Sequence, residues 1–344
     1  MFYTKKIISK NNLMHNFDYV QKTSGKKICC VIKANAYGNG VENVVKILNK
    51  KTYFFAVQNL QEALIVRKFT QKAILILGYC YDIKIAIENN ISIMVDSVEV
   101  LNNIAKINSD KKAKIHIKIN TGMNRLGITK IKQFKQILKI IKSNKNIIFE
   151  GIYTHCFSSK NKKITDKQIY RFFKYVEKIP SCYNVIKHIG GSNLIYYNLP
   201  TQIDCVRVGI MLYGYGDEKL KPVMQITSKI IKTFEIKKGD YVGYDEKFRA
   251  TQKTKVAVIA FGYADGFYKQ LCYKKTFFIC GKNCRVLGPV CMDMFMLDIT
   301  DTNAKKFDDV LIFDNAQTWA KMLDKTEYEI LTNFNQTRCD EYIK

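Results

Sequence analysis

The chain of 344 residues is long enough for about two domains, or for one barrel with an appended domain. Its 56 lysines and arginines outnumber 30 acidic residues and give a formal charge of +26, but the lysines are spread among asparagines and isoleucines. This spread argues against a concentrated basic surface for nucleic acid, and no apolar run approaches the roughly 20 residues that span a bilayer.

Short apolar runs, most of them separated by amphipathic stretches, fill the chain up to about residue 210. Eight such runs are KICCVIK, YFFAV, AILILG, ISIMV, KIHIKIN, IIFEGIYTH, NVIKHI and CVRVGI. Stretches such as VENVVKILNK and IKQFKQILKIIKS have the period of helices. Because strands that are apolar on both faces are typical of parallel sheets, the pattern predicts a TIM-type (β/α)8 barrel in residues 1–216.

The pattern changes at about residue 217. The segments MQITSKIIKTFEIKKGDYVGY, TKVAVIAFGYADG, KTFFICGKNCRVLGPVCMDMFMLDIT and DDVLIFD alternate apolar and polar residues between glycine and aspartate turns. This alternation predicts a mostly antiparallel β domain in residues 217–344.

The eleven cysteines are interpreted as reduced thiols of a cytoplasmic protein. Their number is odd, and the segment MFYTKKIISKNN lacks the long apolar core of a secretory signal. Cys280, Cys284 and Cys291 have neither paired CxxC spacing nor a nearby histidine. No metal site is therefore expected.

Polar residues end, follow or, for Arg207, lie on predicted barrel strands, near the end where the active site of such a barrel lies. They are Lys33, Arg125, His155, Ser192 and Arg207. Singly, Lys33 could be a surface lysine, His155 a core histidine and Arg207 the partner of an acidic loop residue. Their joint placement instead indicates one site at the barrel mouth.

The chemistry of these residues suggests a particular ligand. A partly desolvated lysine near arginines has a lowered pKa, and its free amine can form a Schiff base with a carbonyl. Ser192 and the backbone around Gly209 follow the last two strands, where barrels commonly bind phosphate. A carbonyl and a phosphate on one ligand suggest pyridoxal 5′-phosphate (PLP).

Six segments, in order, resemble signatures of the alanine racemase family of fold-type III PLP enzymes. They are VIKANAYGNG, IKINTGMNRLGI, RVGIMLYG, YVGY, FGYADG and VCMDM, and they span nearly the whole chain. Two departures are GGSNL, which lacks the asparagine that commonly precedes the serine, and Val208, where proline is usual. Neither removes a chemical group from the implied mechanism.

The resemblance implies a set of residues that bind PLP. Lys33 would hold the cofactor covalently, and Arg207 would donate to its pyridine nitrogen. Because a guanidinium keeps its proton, that nitrogen would stay largely unprotonated, and the ring would be a weaker electron sink. The other implied cofactor residues are Tyr37, His155, Ser192, Gly209, Ile210 and Tyr328.

The resemblance also implies a two-base racemisation of L-alanine and D-alanine that supplies D-alanine for peptidoglycan. Lys33 would serve one face of the substrate Cα and Tyr244 the other. Positive charge near Tyr244 would favour its phenolate, and His155 and Arg207 could provide it.

Further residues of the family pattern would surround the substrate. Arg125 and Met292 would contact it, with Tyr263 and Asp293 at its access path, and Tyr244 would reach the barrel of a partner subunit. A head-to-tail homodimer with shared active sites is implied. Lys118 matches a lysine that is carbamylated in many members and positions the arginine; an ordinary paired lysine is the alternative.

Several other functions compete with this interpretation. A racemase of the same fold could prefer serine or another small amino acid. A fold-type III decarboxylase would pair the cofactor nitrogen with a carboxylate, whereas Arg207 occupies that place, and the small PLP-homeostasis proteins lack a second domain. A basic nucleic-acid-binding protein would need the concentrated basic face that the sequence lacks.

Overall fold

The computed structural model describes residues 2–158 and 160–344, and chain contacts divide it into two compact units. The barrel unit comprises Leu13–Ala36 and Val41–Leu220. The β unit comprises Met1–Asn12, Tyr37–Gly40 and Lys221–Lys344, and it contains the first strand, β1 (Lys5–Ile8). The division at residues 216 and 217 stays a prediction.

Eight parallel strands form the barrel, as the apolar runs predict. They are β2 (Lys27–Val31), β3 (Phe54–Val57), β4 (Ile74–Ile76), β5 (Ile93–Val95), β6 (Ala113–Lys118), β7 (Ile147–His155), β8 (Ile186–Gly190) and β9 (Cys205–Val208). Their spatial order is β4-β3-β2-β9-β8-β7-β6-β5, and a parallel bridge between Leu75 and Ser92 joins β4 to the start of β5. The predicted fold is therefore confirmed for this part of the chain.

One helix precedes the first barrel strand, and further helices follow the strands; most of them bury an apolar stripe. They are α1 (Lys10–Ser24), α2 (Lys33–Tyr37), α3 (Val41–Leu48), α4 (Leu60–Arg67), α5 (Ile83–Glu88), α6 (Val98–Ala105), α7 (Ile131–Ser143) and α8 (Lys162–Val176). Asn59, Ser97 and Asn161 cap α4, α6 and α8 by accepting from the backbone N–H three residues on. The exception to ordinary helical geometry is α2, a left-handed turn.

The β unit is a mostly antiparallel sheet, which confirms the prediction. Its further elements are β10 (Met224–Ile236), β11 (Thr254–Ile259), β12 (Thr276–Ile279), β13 (Lys282–Arg285), β14 (Phe295–Asp298), β15 (Asp309–Phe313), α9 (Ala316–Leu323), α10 (Glu327–Asn333) and β16 (Asp340–Ile343). The central strand β10 pairs antiparallel with β1, β11 and β15. Strand β16 runs parallel to β1.

None of the helices in residues 2–158 and 160–344 is both long and apolar enough to cross a bilayer.

Candidate active site

Three residues at the ends of β7, β8 and β9 lie side by side across the barrel. His155 pairs with Gly190, and Gly190 pairs with Arg207. Residues two apart on a strand face the same side, so Tyr153 and His188 belong to the layer below. The strand register thus brings predicted site residues from separate parts of the sequence to one end of the barrel.

Arg207 is fixed by three neighbours. Its Nη1 donates to Nδ1 of His188 at 2.9 Å, and its Nη2 donates to the carbonyl of Thr154 at 2.8 Å. The guanidinium carbon lies 4.6 Å from the ring centroid of Tyr153, a cation–π distance. Only 5% of Arg207 is exposed, so its charge is held in one place by these contacts.

His155 is neutral at physiological pH. Burial, followed by the charges of Arg207, Arg125, Lys118 and Lys33, lowers its pKa to about 3. The expected contribution of His155 to the positive charge near a phenolate is therefore wrong, because desolvation and cationic neighbours both disfavour the imidazolium.

Lys118 ends β6 among cations. Burial and, after it, the charges of Arg207, Arg125 and Lys33 together lower its pKa to about 8, with Asp96 acting in the opposite direction. A substantial fraction of neutral amine is therefore present at mildly alkaline pH. The Nζ atom lies 5.8 Å from the ring centroid of Tyr153.

The chain turns left-handed at Lys33. Strand β2 ends at Val31, two residues earlier than the run KICCVIK suggests, and φ lies between 51° and 54° from Ala34 to Tyr37. A left-handed backbone costs on the order of 1–2 kcal/mol per non-glycine residue. The apolar pattern that predicts the strand does not reveal this conformation. Backbone strain of this kind is concentrated at functional sites.

Glu62 supports the strained turn, and the sequence analysis missed it. One carboxylate oxygen accepts from the backbone N–H of Ala34 at 2.8 Å, and the other accepts from that of Gln58 at 2.7 Å. Asn35 contributes through its Oδ1, which accepts from the backbone N–H of Val41 at 2.7 Å. No sequence signal links Glu62 to this turn, since the partners are 28 residues apart.

Lys33 has a lowered pKa, as the sequence analysis expected. Burial is the main cause, the charge of Arg125 adds to it, and Glu62 opposes both. Lys33 is half-buried and Arg125 is exposed. The pair therefore combines an amine of lowered pKa with an exposed cation.

Ser192, Gly209 and Ile210 follow the last two barrel strands. Ser192 is the first residue of the short helix Ser192–Tyr196, and Ile210 is the first residue of the short helix Ile210–Tyr213, directly after Gly209. These positions follow β8 and β9, where barrels of this type commonly hold phosphate.

In the β unit, Tyr37 and Tyr328 pack together. Their ring centroids are 5.9 Å apart. Tyr37 is 6% exposed and Tyr328 is 45% exposed. A Cβ at Gly38 would overlap the carbonyl of Leu331, so the turn after Tyr37 fits closely against the helix that carries Tyr328.

Tyr263, Met292 and Asp293 form a second group in the β unit. The backbone N–H of Tyr263 donates to the carbonyl of Cys291 at 3.1 Å, and the next N–H donates to that of Met292 at 3.0 Å. Tyr263 and Met292 are exposed, as is Tyr244, with 65% of its surface accessible.

Arg338 stabilises this second group, and the sequence analysis missed it. Its Nε and Nη2 donate to the two carboxylate oxygens of Asp265 at 2.7 and 2.9 Å, while Nη1 donates to Asp293 at 2.8 Å. Bidentate pairing of this kind fixes geometry as well as charge. Arg338 thereby fixes the carboxylate of Asp293 beside the turn that carries Tyr263.

The parallel barrel and its polar mouth define a barrel enzyme of the kind that works at the C-terminal ends of its strands. Family models described as "Alanine racemase, N-terminal domain" and "Alanine racemase, C-terminal domain" match residues 8–217 and 223–342. The chain belongs to the alanine racemase family.

Individual relatives match the chain over almost its full length. The alanine racemase of Francisella philomiragia is 33% identical over 98% of this chain and 99% of its own. The alanine racemase structure from Clostridium difficile 630 superposes with a TM-score of 0.90 at 31% identity, covering 99% and 96%. The Bacillus anthracis alanine racemase with bound L-Ala-P has a TM-score of 0.88 at 25% identity, covering 100% and 96%.

Proposed function

We propose that this chain racemises alanine with PLP as its cofactor. The observation that carries the proposal is Lys33, a half-buried lysine with a lowered pKa at the barrel mouth, of the residue type that forms Schiff bases with carbonyls. Family membership and relatives named alanine racemase support it. When bound, the cofactor would withdraw electrons from the Cα of the amino acid and so make its proton removable.

The barrel residues fit this cofactor. Because Gly190 has no Cβ, Arg207 and His155 can lie directly against the end of β8, and the guanidinium is a pure donor suited to an unprotonated ring nitrogen. Ser192 and the backbone at Gly209 and Ile210 would bind the phosphate. Tyr37 and Tyr328, which pack together, would direct their hydroxyls to the same group.

The chain's own acid and base groups would move the α-proton. Lys33 would hold it on one face and Tyr244 on the other. The phenol of Tyr244 is exposed and would belong to the site of a partner subunit, in a homodimer with shared sites. Arg125 and Met292 would contact the substrate, with Tyr263 and Asp293 at its access path.

Lys118 would carry a carbamate that positions Arg125. The reaction joins the neutral amine to CO2 and releases one proton, and a pKa of about 8 supplies the neutral amine. The product anion would lie among cations, near the Tyr153 hydroxyl, which has no hydrogen-bond partner among the described residues. Labelled bicarbonate should give a carbamate carbon resonance that Lys118→Met lacks; its persistence in that variant would reject the assignment.

Alanine is the proposed substrate, and serine or another small amino acid is the alternative. The fold alone does not decide between amino acids, because a histidine racemase from Leuconostoc mesenteroides shares it with a TM-score of 0.89 at 22% identity. A chiral assay of the purified protein against a panel of L-amino acids tests the proposal. Alanine should turn over fastest, whereas a clear preference for another amino acid, or no racemisation at all, would contradict it.

The product D-alanine would serve peptidoglycan synthesis in the cytoplasm. The eleven cysteines, all of which lie in the described part of the chain, are unpaired, in keeping with a reducing compartment. Expression in a D-alanine auxotroph should restore growth without added D-alanine, and failure of an expressed, active protein to do so would reject this role.

A further inference from the structure

A continuous chain of hydrogen bonds leads from Arg207 through the barrel interior. Nη1 of Arg207 lies 2.9 Å from Nδ1 of His188, and Nε2 of His188 lies 2.8 Å from Nδ1 of His116. Nε2 of His116 lies 2.9 Å from a carboxylate oxygen of Glu150. Two imidazole side chains, joined by three hydrogen bonds, therefore connect the arginine at the barrel mouth to the carboxylate of Glu150 on β7.

Arg207 and Glu150, at the two ends of this series of hydrogen bonds, determine which nitrogen of each histidine carries the proton. A guanidinium can only donate, so Nδ1 of His188 accepts and its Nε2 carries the proton. That proton is donated to Nδ1 of His116, which therefore also carries its proton on Nε2. An ionised Glu150 accepts it. Both histidines are consequently neutral, and all donors point from Arg207 towards Glu150.

Burial and shape support this arrangement. His116 and His188 are 2% and 0% exposed, and a Cβ at Gly151 would overlap the imidazole of His116. Glycine at this position of β7 therefore makes room for the ring that joins the two ends of the chain. Gly151 is the residue of β7 that pairs with His116 of β6 in the strand register, so the missing side chain lies where the imidazole needs space.

The carboxylate of Glu150, at the far end of this series of hydrogen bonds from Arg207, lines a cavity. This cavity has a volume of about 70 Å3, and its lining includes Tyr53, Ser92, His116 and Glu150, so it is large enough for water. Ser92 donates its hydroxyl to the same carboxylate, and Lys114 lies 3.8 Å from it. These contacts favour the ionised form of Glu150.

We propose that Glu150 is a positioning residue for Arg207, acting through His116 and His188. The Glu150 carboxylate orients both imidazoles and partly offsets the positive charge of Arg207 from a distance. The oriented imidazole of His188 in turn holds the guanidinium in a single orientation at the barrel mouth. Hydrogen bonds in such a chain polarise one another in a low-dielectric interior. Arg207 would bind the cofactor under the proposed function, so the expected change in kcat rests on that function.

The first test needs neither cofactor nor activity. Nitrogen NMR of the cofactor-free wild-type protein at neutral pH should show His116 and His188 as neutral rings with the proton on Nε2. A doubly protonated His116, or a proton on Nδ1 of either ring, would overturn the proposal whether or not the chain racemises alanine.

The second test removes the charge but keeps the shape. In Glu150→Gln the amide oxygen can still accept from His116, so the tautomers should persist while the Nε2 protons of both rings move upfield. In the loaded enzyme we expect kcat to fall about tenfold, the loss of roughly one charge-assisted hydrogen bond, with KM within about twofold.

The matched control is Glu177→Gln, which changes an exposed carboxylate at the end of α8. It should leave the imidazole spectrum and kcat unchanged. Wild-type spectra and wild-type kcat in a folded Glu150→Gln protein would overturn the proposal, as would an equal effect of the control. The wild-type tautomer measurement decides the question if Glu150→Gln fails to fold.

Discussion

Gly190 lies against the guanidinium of Arg207 so closely that a Cβ on the glycine would overlap Nη2 of the arginine. The same Cβ would lie 2.7 Å from Nδ1 of His155. Arg207 is buried and held by hydrogen bonds to His188 and Thr154, so its guanidinium cannot withdraw without breaking a contact. The barrel therefore holds Arg207 and His155 in place partly through the absence of a side chain.

Gly190→Ala should impair activity more than stability. Displacing Arg207 from His188 and Thr154 is expected to lower kcat by tenfold or more, with overpacking costing about 1–3 kcal/mol of unfolding free energy. Turnover and urea unfolding measure the two effects. Gly25→Ala is the control, because it has open space but a φ of +59°; it should lose about 1 kcal/mol of stability and keep its activity. Full activity in Gly190→Ala would refute the steric argument.

Tyr244→Phe should act on one enantiomer. If Tyr244 serves one face of Cα, loss of its hydroxyl should slow exchange of the α-proton of L-alanine in D2O by about a hundredfold or more. Exchange from D-alanine, which depends on Lys33, should suffer far less. Tyr241→Phe changes another exposed tyrosine of the same segment and should match the wild type. Equal small effects on both enantiomers would reject the two-base assignment.

Mixed dimers test whether active sites are shared. Lys33→Ala and Tyr244→Phe chains should each be inactive alone, yet a heterodimer would contain one site with both bases intact. After verified subunit exchange in equal amounts, about a quarter of wild-type activity should return. A mixture that stays inactive would show that both bases come from one chain.

Acid should destabilise the fold through its neutral histidines. The pKa of His155 is lowered to about 3 and that of His188 lies well below its usual value. The unfolded chain binds these protons near pH 6.5 and the folded chain does not, so stability falls as pH drops below about 7.

Urea unfolding between pH 7.5 and 4.5 measures this loss. Each depressed histidine contributes up to about 1.4 kcal/mol per pH unit below 6.5, so His155→Gln should flatten the dependence. His15→Gln, which changes an exposed histidine, should leave it as in the wild type. A dependence that His155→Gln does not alter would contradict the neutral state of this ring.

The sequence predicts the barrel because its strands are short, apolar on both faces and bounded by clear turns. β3, for example, is buried at every position. Strand β1 is not predicted in this way, because KKII has only four residues and half of them are charged. Its place in the β unit comes from pairing with β10 and β16, which lie over 200 residues away.

Some residues of the site can likewise be predicted from the sequence, and others cannot. Lys33, His155 and Arg207 can be found from sequence because the first two end apolar runs and Arg207 interrupts one. Glu62, Glu150 and Arg338 cannot, because their roles come from hydrogen bonds to residues that are distant in sequence. The strained turn after Lys33 is also hidden, since Ala34–Tyr37 has no glycine to indicate positive φ.

The central claim is that Lys33 is the lysine that binds PLP covalently and acts as a base. Borohydride reduction of the purified, cofactor-loaded protein followed by peptide mapping tests it directly. The account predicts that the cofactor is trapped on the peptide containing Lys33 and that Lys33→Ala retains no trapped cofactor. A label on another lysine, or a link that persists in Lys33→Ala, would contradict it.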